Sequence, residues 1–130
     1  YGTTLIGGAD NAGTVFRLTP SHDYWNFRVI YSFTGGKDGG APYYGSLASD
    51  SVGNLFGTTR LGGPLQYGTV FEVAQEKSGK WKETVVHSFN GGSDGKNPIY
   101  GVILDSAGNL YGTTPSGGAD GWGVVFECVR

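Results

Sequence analysis

The chain has 130 residues, 25 of them glycine, and a formal net charge of −2. Gly follows no triplet period, which excludes collagen. The basic residues are few and stand singly, which excludes both a phosphate-neutralising face for nucleic acid and a polybasic membrane patch. No apolar run approaches the roughly 20 residues of a membrane span, so membrane insertion is not expected. The single cysteine, Cys128, rules out an intrachain disulfide, leaves no Cys-based metal motif, and reads as a strand residue.

In chain order, Tyr1-Gly2-Thr3-Thr4 returns as Phe56-Gly57-Thr58-Thr59 and as Tyr111-Gly112-Thr113-Thr114, a spacing of 55 residues. Gly13-Thr14-Val15-Phe16 likewise returns as Gly68-Thr69-Val70-Phe71 and Gly123-Val124-Val125-Phe126. Trp25 is matched by Trp81, the run Phe27 to Phe33 by Glu83 to Phe89, and Gly35-Gly36-Lys37-Asp38-Gly39 by Gly91-Gly92-Ser93-Asp94-Gly95. Pro42 and Tyr44-Gly45 answer Pro98 and Tyr100-Gly101. Each unit closes on Asp-x-x-Gly-Asn-Leu, at Asp50 to Leu55 and Asp105 to Leu110. Residues 1–130 therefore form one repeat domain, with units 1–55 and 56–110 and a partial unit 111–130.

The complete middle unit predicts four strands, about Tyr44 to Ser49, Asn54 to Thr59, Gly68 to Ala74 and Lys82 to Phe89. Asp-x-x-Gly-Asn is a hairpin turn, because Asp bonds the backbone ahead of it and Gly supplies positive φ. The predicted fold is all-β: four-stranded antiparallel blades of a β-propeller. A twisted sheet has two apolar faces and must stack to bury both, so the recurring Phe and Val residues are the expected inter-blade core. Counting strands gives groups of three, four and three. Since a propeller needs at least about four blades, the ring is expected to close only by oligomerisation, for example a six-bladed homodimer, or the chain is a fragment of a longer propeller.

The blocks Asn-Leu-Tyr/Phe-Gly-Thr-Thr, Gly-Thr-Val-Phe, Ser-Phe-x-Gly-Gly-x-Asp-Gly and Asp-x-x-Gly-Asn-Leu resemble the tandem GloVer (Gloeo_Verruco) repeats of bacterial proteins. The resemblance covers nearly the whole chain and implies a secreted or cell-surface location. It carries no catalytic residues with it. The third unit departs from the pattern at Val124, where the others have Thr14 and Thr69.

Enzyme signatures are thin. There is no Gly-x-Ser-x-Gly, phosphate loop or Cys–His set, and no cofactor is implied. His22 reads as a solvated loop residue, and His87 as a strand substitution at the place of Tyr31. Asp50 and Asp105 are explained by the turns they start. Asp38 and Asp94, in Gly-rich loops that recur on one face, are candidate ligand contacts together with Tyr43, Tyr44, Tyr100 and Trp122. Carboxylates accept sugar hydroxyls, and aromatic rings stack on sugar C–H faces. Calcium at the aspartates and loop-capping by their carboxylates are the other readings. The expected function is a non-enzymatic, lectin-like module that binds glycans. The alternatives are a structural or protein-interaction scaffold and, third, a hydrolase or lyase.

Overall fold

The computed structural model describes residues 1–130. Ten strands build three antiparallel sheets. Sheet 1 holds β1 (Gly2–Thr4), β2 (Thr14–Pro20) and β3 (Trp25–Ser32). Sheet 2 holds β4 (Ala48–Ser49), β5 (Leu55–Thr59), β6 (Thr69–Gln75) and β7 (Trp81–Ser88). Sheet 3 holds β8 (Ile103–Leu104), β9 (Leu110–Thr114) and β10 (Val124–Cys128). These are propeller-like blades in the expected three-four-three arrangement, and they do not close into a ring. A short 3-10 turn at Gly92–Asp94 is the only helical element, and no helix is long and apolar enough to cross a membrane.

The repeat in sequence is a repeat in register. Gly2, Gly57 and Gly112 stand opposite Phe16, Phe71 and Phe126. A Cβ on Gly57 would lie 2.7 Å from Cζ of Phe71, so this position must stay bare for the ring to lie across the strand. A register shift falls between Val15 and Phe16 and again between Val70 and Phe71. Such a bulge turns successive side chains and re-aims the strand. Val15 and Val70 consequently face the sheet that follows, and Phe71 faces the one before.

Two apolar seams hold the sheets together. In the first, Val15 and Phe33 meet Leu55, Phe71 and Val73 of sheet 2. In the second, Phe56, Val70 and Phe89 meet Val102 and Leu110, with Phe126 and Cys128 alongside. The Phe33 and Phe71 rings meet edge to face at 5.0 Å, and Phe89 and Phe126 repeat the contact at 5.1 Å. Burying one such ring contributes about 1.5–3 kcal/mol, and each seam buries several. Trp81 packs against the first seam and meets Tyr1 edge-on at 5.9 Å. Cys128 ends β10 and packs on the second seam, where burial raises its thiol pKa.

The predicted first strand is corrected. Only Ala48–Ser49, not Tyr44 to Ser49, joins the ladder, and Ile103–Leu104 is its counterpart in sheet 3. Upstream of these pairs the chain leaves its own sheet to pack backbone against backbone between units. A Cβ on Gly45 would come within 3.3 Å of the Gly101 amide nitrogen, and the Thr58 hydroxyl donates to the Tyr100 carbonyl at 2.7 Å.

Candidate functional site

All of the Gly-rich connections lie at one end of the stack, because β2, β6 and β10 begin there, β5 and β9 finish there, and β3 and β7 leave their sheets there. The Asp-x-x-Gly-Asn turns and the β2–β3 and β6–β7 hairpins lie at the other end. The predicted residues Asp38, Asp94, Tyr43, Tyr44, Tyr100 and Trp122 all belong to connections at the first end.

The aspartate carboxylates are engaged within their own loops. Oδ2 of Asp38 accepts the Tyr31 hydroxyl at 2.9 Å and the Thr34 amide at 2.8 Å, while its Oδ1 accepts the Thr34 hydroxyl. Asp94 accepts the Asn90 amide at 2.8 Å and faces Nε2 of His87 at 3.0 Å. His87 therefore has a partner, where the sequence alone suggested a tolerated substitution. Burial, and then the hydrogen bond to Asp38, pushes the Tyr31 hydroxyl pKa well above its ordinary value. The loops are also clamped from outside. A Cβ on Gly62 would lie 2.4 Å from Cα of Gly39, and Gly40 exchanges backbone hydrogen bonds with Leu61 at 2.9 and 3.0 Å. Asp38 and Asp94 thus close a loop that locks one unit onto the next.

The tyrosines behave differently. Tyr43 and Tyr44 meet edge to face at 4.3 Å, and the Arg60 guanidinium lies 5.4 Å from the Tyr43 ring centre. Tyr44 is 73% exposed and Tyr100 is 56% exposed. The neighbouring Tyr43 hydroxyl, and then Tyr100, raise the Tyr44 hydroxyl pKa. The backbone contact between Gly45 and Gly101 brings the segments that carry Tyr44 and Tyr100 together from two units. The result is a shallow aromatic surface edged by one cation.

Trp122 is 90% exposed. Its counterparts by repeat, Ala12 and Tyr67, pack against the first and second seams. The equivalent positions in the first two units thus lie in seams, whereas Trp122 lies at the surface.

At the opposite end, a cleft of about 570 Å³ lies between two turns, lined by Ser49, Asp50, Ser51, Asp105, Ser106 and neighbouring residues. Asp50 and Asp105 there build their turns, as expected. Oδ1 of Asp50 accepts the Val52 and Asn54 amides at 3.1 and 2.9 Å, and Oδ1 of Asp105 accepts those of Ala107 and Asn109 at 2.9 and 2.8 Å. At both residues desolvation works upward, but the hydrogen bonds outweigh it and leave the carboxyl below its ordinary pKa. The cleft was not legible in the sequence, because it is created by the spacing between units.

No group of three or more His, Cys, Asp or Glu side chains is arranged to hold a metal ion. Comparison with curated proteins found no match, and comparison with solved structures found none. A family model described as the Gloeobacter/Verrucomicrobia repeat matches residues 1–130, and the chain belongs to that repeat family.

Proposed function

We propose that this repeat module is a non-enzymatic glycan-binding unit of an exported protein, and that its contact surface is formed by Tyr44 and Tyr100 with Tyr43 and Arg60 beside them. One observation carries the reading: two exposed tyrosines, one from each of two successive units, each precede a glycine, and the backbones of those two glycines pack together. Exposed aromatic rings with a polar tip suit ligands that have one apolar and one hydrogen-bonding side, and the C–H faces and hydroxyls of a sugar fit that description. Asp38 and Asp94 support the surface by fixing the loops that lead into it. A structural or protein-interaction scaffold is the competing reading, and the polar cleft between Ser51 and Ser106 is a second place where a hydrophilic ligand could sit.

The test is a glycan array followed by calorimetric titration of the best binder. The wild type is expected to bind, and Tyr44→Ala with Tyr100→Ala to lose at least tenfold in affinity, about 1.4 kcal/mol. Binding that survives the double change but is lost on Ser51→Trp with Ser106→Trp moves the site to the cleft. No binding to any glycan supports the scaffold.

A further inference from the structure

Two arginines of the chain lie over aromatic rings, and only one of them is answered by a carboxylate. The Arg130 guanidinium lies 4.5 Å from the centre of the Phe56 ring, and its Nη2 donates to the Glu72 carboxylate at 3.1 Å, with Asp50 at 3.9 Å. The Arg60 guanidinium lies 5.4 Å from the centre of the Tyr43 ring and forms no ion pair. A guanidinium over a ring face is attracted by the ring quadrupole while its N–H donors stay free to bond outward. Arg60 therefore has the ring that Arg130 has, without the carboxylate.

The backbone of Arg60 is tied from both sides. Its amide donates to the Ala41 carbonyl at 3.1 Å, in the connection before, and its carbonyl accepts the Asn97 side-chain amide at 2.9 Å, from the connection after. The neighbouring units are thus both in place around it, and the side chain is still exposed. The matching positions in the other units hold Leu5 and Pro115, and the place of Tyr43 is taken by Ile99 in the next connection. The fold accepts apolar residues at both positions, so it does not call for the Tyr43–Arg60 pair. Tyr44, by contrast, recurs as Tyr100. Tyr43 is half-buried and meets the exposed Tyr44 edge to face at 4.3 Å, so the cation and the Tyr44 ring flank the same side chain.

We propose that the ligand of this surface carries a carboxylate, as a uronic acid does, and that Arg60 pairs with that carboxylate while Tyr44 carries the sugar ring. The proposal rests on the glycan reading above and narrows it. A planar fork of N–H donors matches a carboxylate with two parallel hydrogen bonds, shorter and stronger than those between neutral groups. The Tyr43 ring holds the guanidinium in place, so less freedom is lost on pairing. The recurring loop aspartates at this end are engaged elsewhere, Asp38 with Tyr31 and Thr34, and Asp94 with His87 and Asn90.

The experiment is calorimetric titration with short oligomers of galacturonate, glucuronate and mannuronate, each beside its methyl ester, which keeps the sugar and removes the charge. At least one acid is expected to bind, with its ester about tenfold weaker. Added salt should weaken the acid and spare the ester. Arg60→Gln, its fold checked by circular dichroism, is expected to bring the acid down to the level of its ester. Arg60→Lys, which keeps the charge but not the fork, should fall between. An acid bound no tighter than its ester, or a preference for the acid that survives Arg60→Gln, overturns the proposal and leaves glycan binding standing. So does binding of neutral sugars alone. No binding by any sugar, acid or neutral, overturns the proposal and the glycan reading together.

Discussion

Nε2 of His87 stands 3.0 Å from the Asp94 carboxylate, in the place where the Tyr31 hydroxyl stands 2.9 Å from Asp38. Two different side chains, one strand position, tether the same carboxylate. The recurring feature is therefore a loop closed by Asp and anchored to the strand before it. Removing the carboxylate in Asp38→Ala orphans the Tyr31 hydroxyl and the Thr34 amide. The expected cost is about 1–3 kcal/mol, read as a lower urea midpoint. His87→Tyr keeps a donor facing Asp94 and is expected to stay within about 0.5 kcal/mol of wild type. An unchanged midpoint for Asp38→Ala would show that the carboxylate does not hold the loop.

Glu83 gives the first seam a pH dependence. It sits on β7 facing sheet 1, one of its carboxylate oxygens is buried without a hydrogen-bond partner, and burial, then the nearby Asp38 charge, raises its pKa from 4.5 to about 7. The folded protein thus holds this proton more tightly than the unfolded chain does. Glu83 contributes stability that is fully present below about pH 4.5, falls as pH rises toward 7, and is lost above it. Glu83→Gln keeps the shape without the charge. The difference in unfolding free energy between variant and wild type should grow in favour of the variant across that window and level off above it. A difference independent of pH contradicts the assignment.

The glycine opposite each phenylalanine tests the register. In Gly57→Ala the new methyl meets Phe71, fully buried in the first seam, and Leu47 at 3.1 Å. The expected penalty is about 1–3 kcal/mol. Gly2→Ala meets the Phe16 ring at the same 2.7 Å. Phe16 is only half-buried where Phe71 is fully buried, so its ring has more room to shift and the loss in thermal or urea stability should be clearly smaller. Equal losses would mean that the seam does not restrain Phe71.

The strand count and the seams were legible in the sequence because they depend on residues that recur at fixed spacing. Phe16, Phe71 and Phe126 with their facing glycines report one register, and Val15 and Val70 report the face that is buried. The aspartates were legible as turn residues, but their partners were not. Tyr31 and His87 lie seven residues before Asp38 and Asp94 and share no chemistry beyond hydrogen bonding. The matched offset in both units was the signal available. The strand expected from Tyr44 to Ser49 is shorter because the backbone at Gly45 packs against Gly101 of the neighbouring unit instead of joining the ladder.

The central claim is that one recurring aromatic contact joins successive units. A double-mutant cycle on Phe33→Leu and Phe71→Leu, measured by urea unfolding, tests it most directly. Rings that meet edge to face across a seam should be coupled by about 0.5–1.5 kcal/mol. Effects that simply add, with no coupling beyond error, would contradict the stacked-blade account.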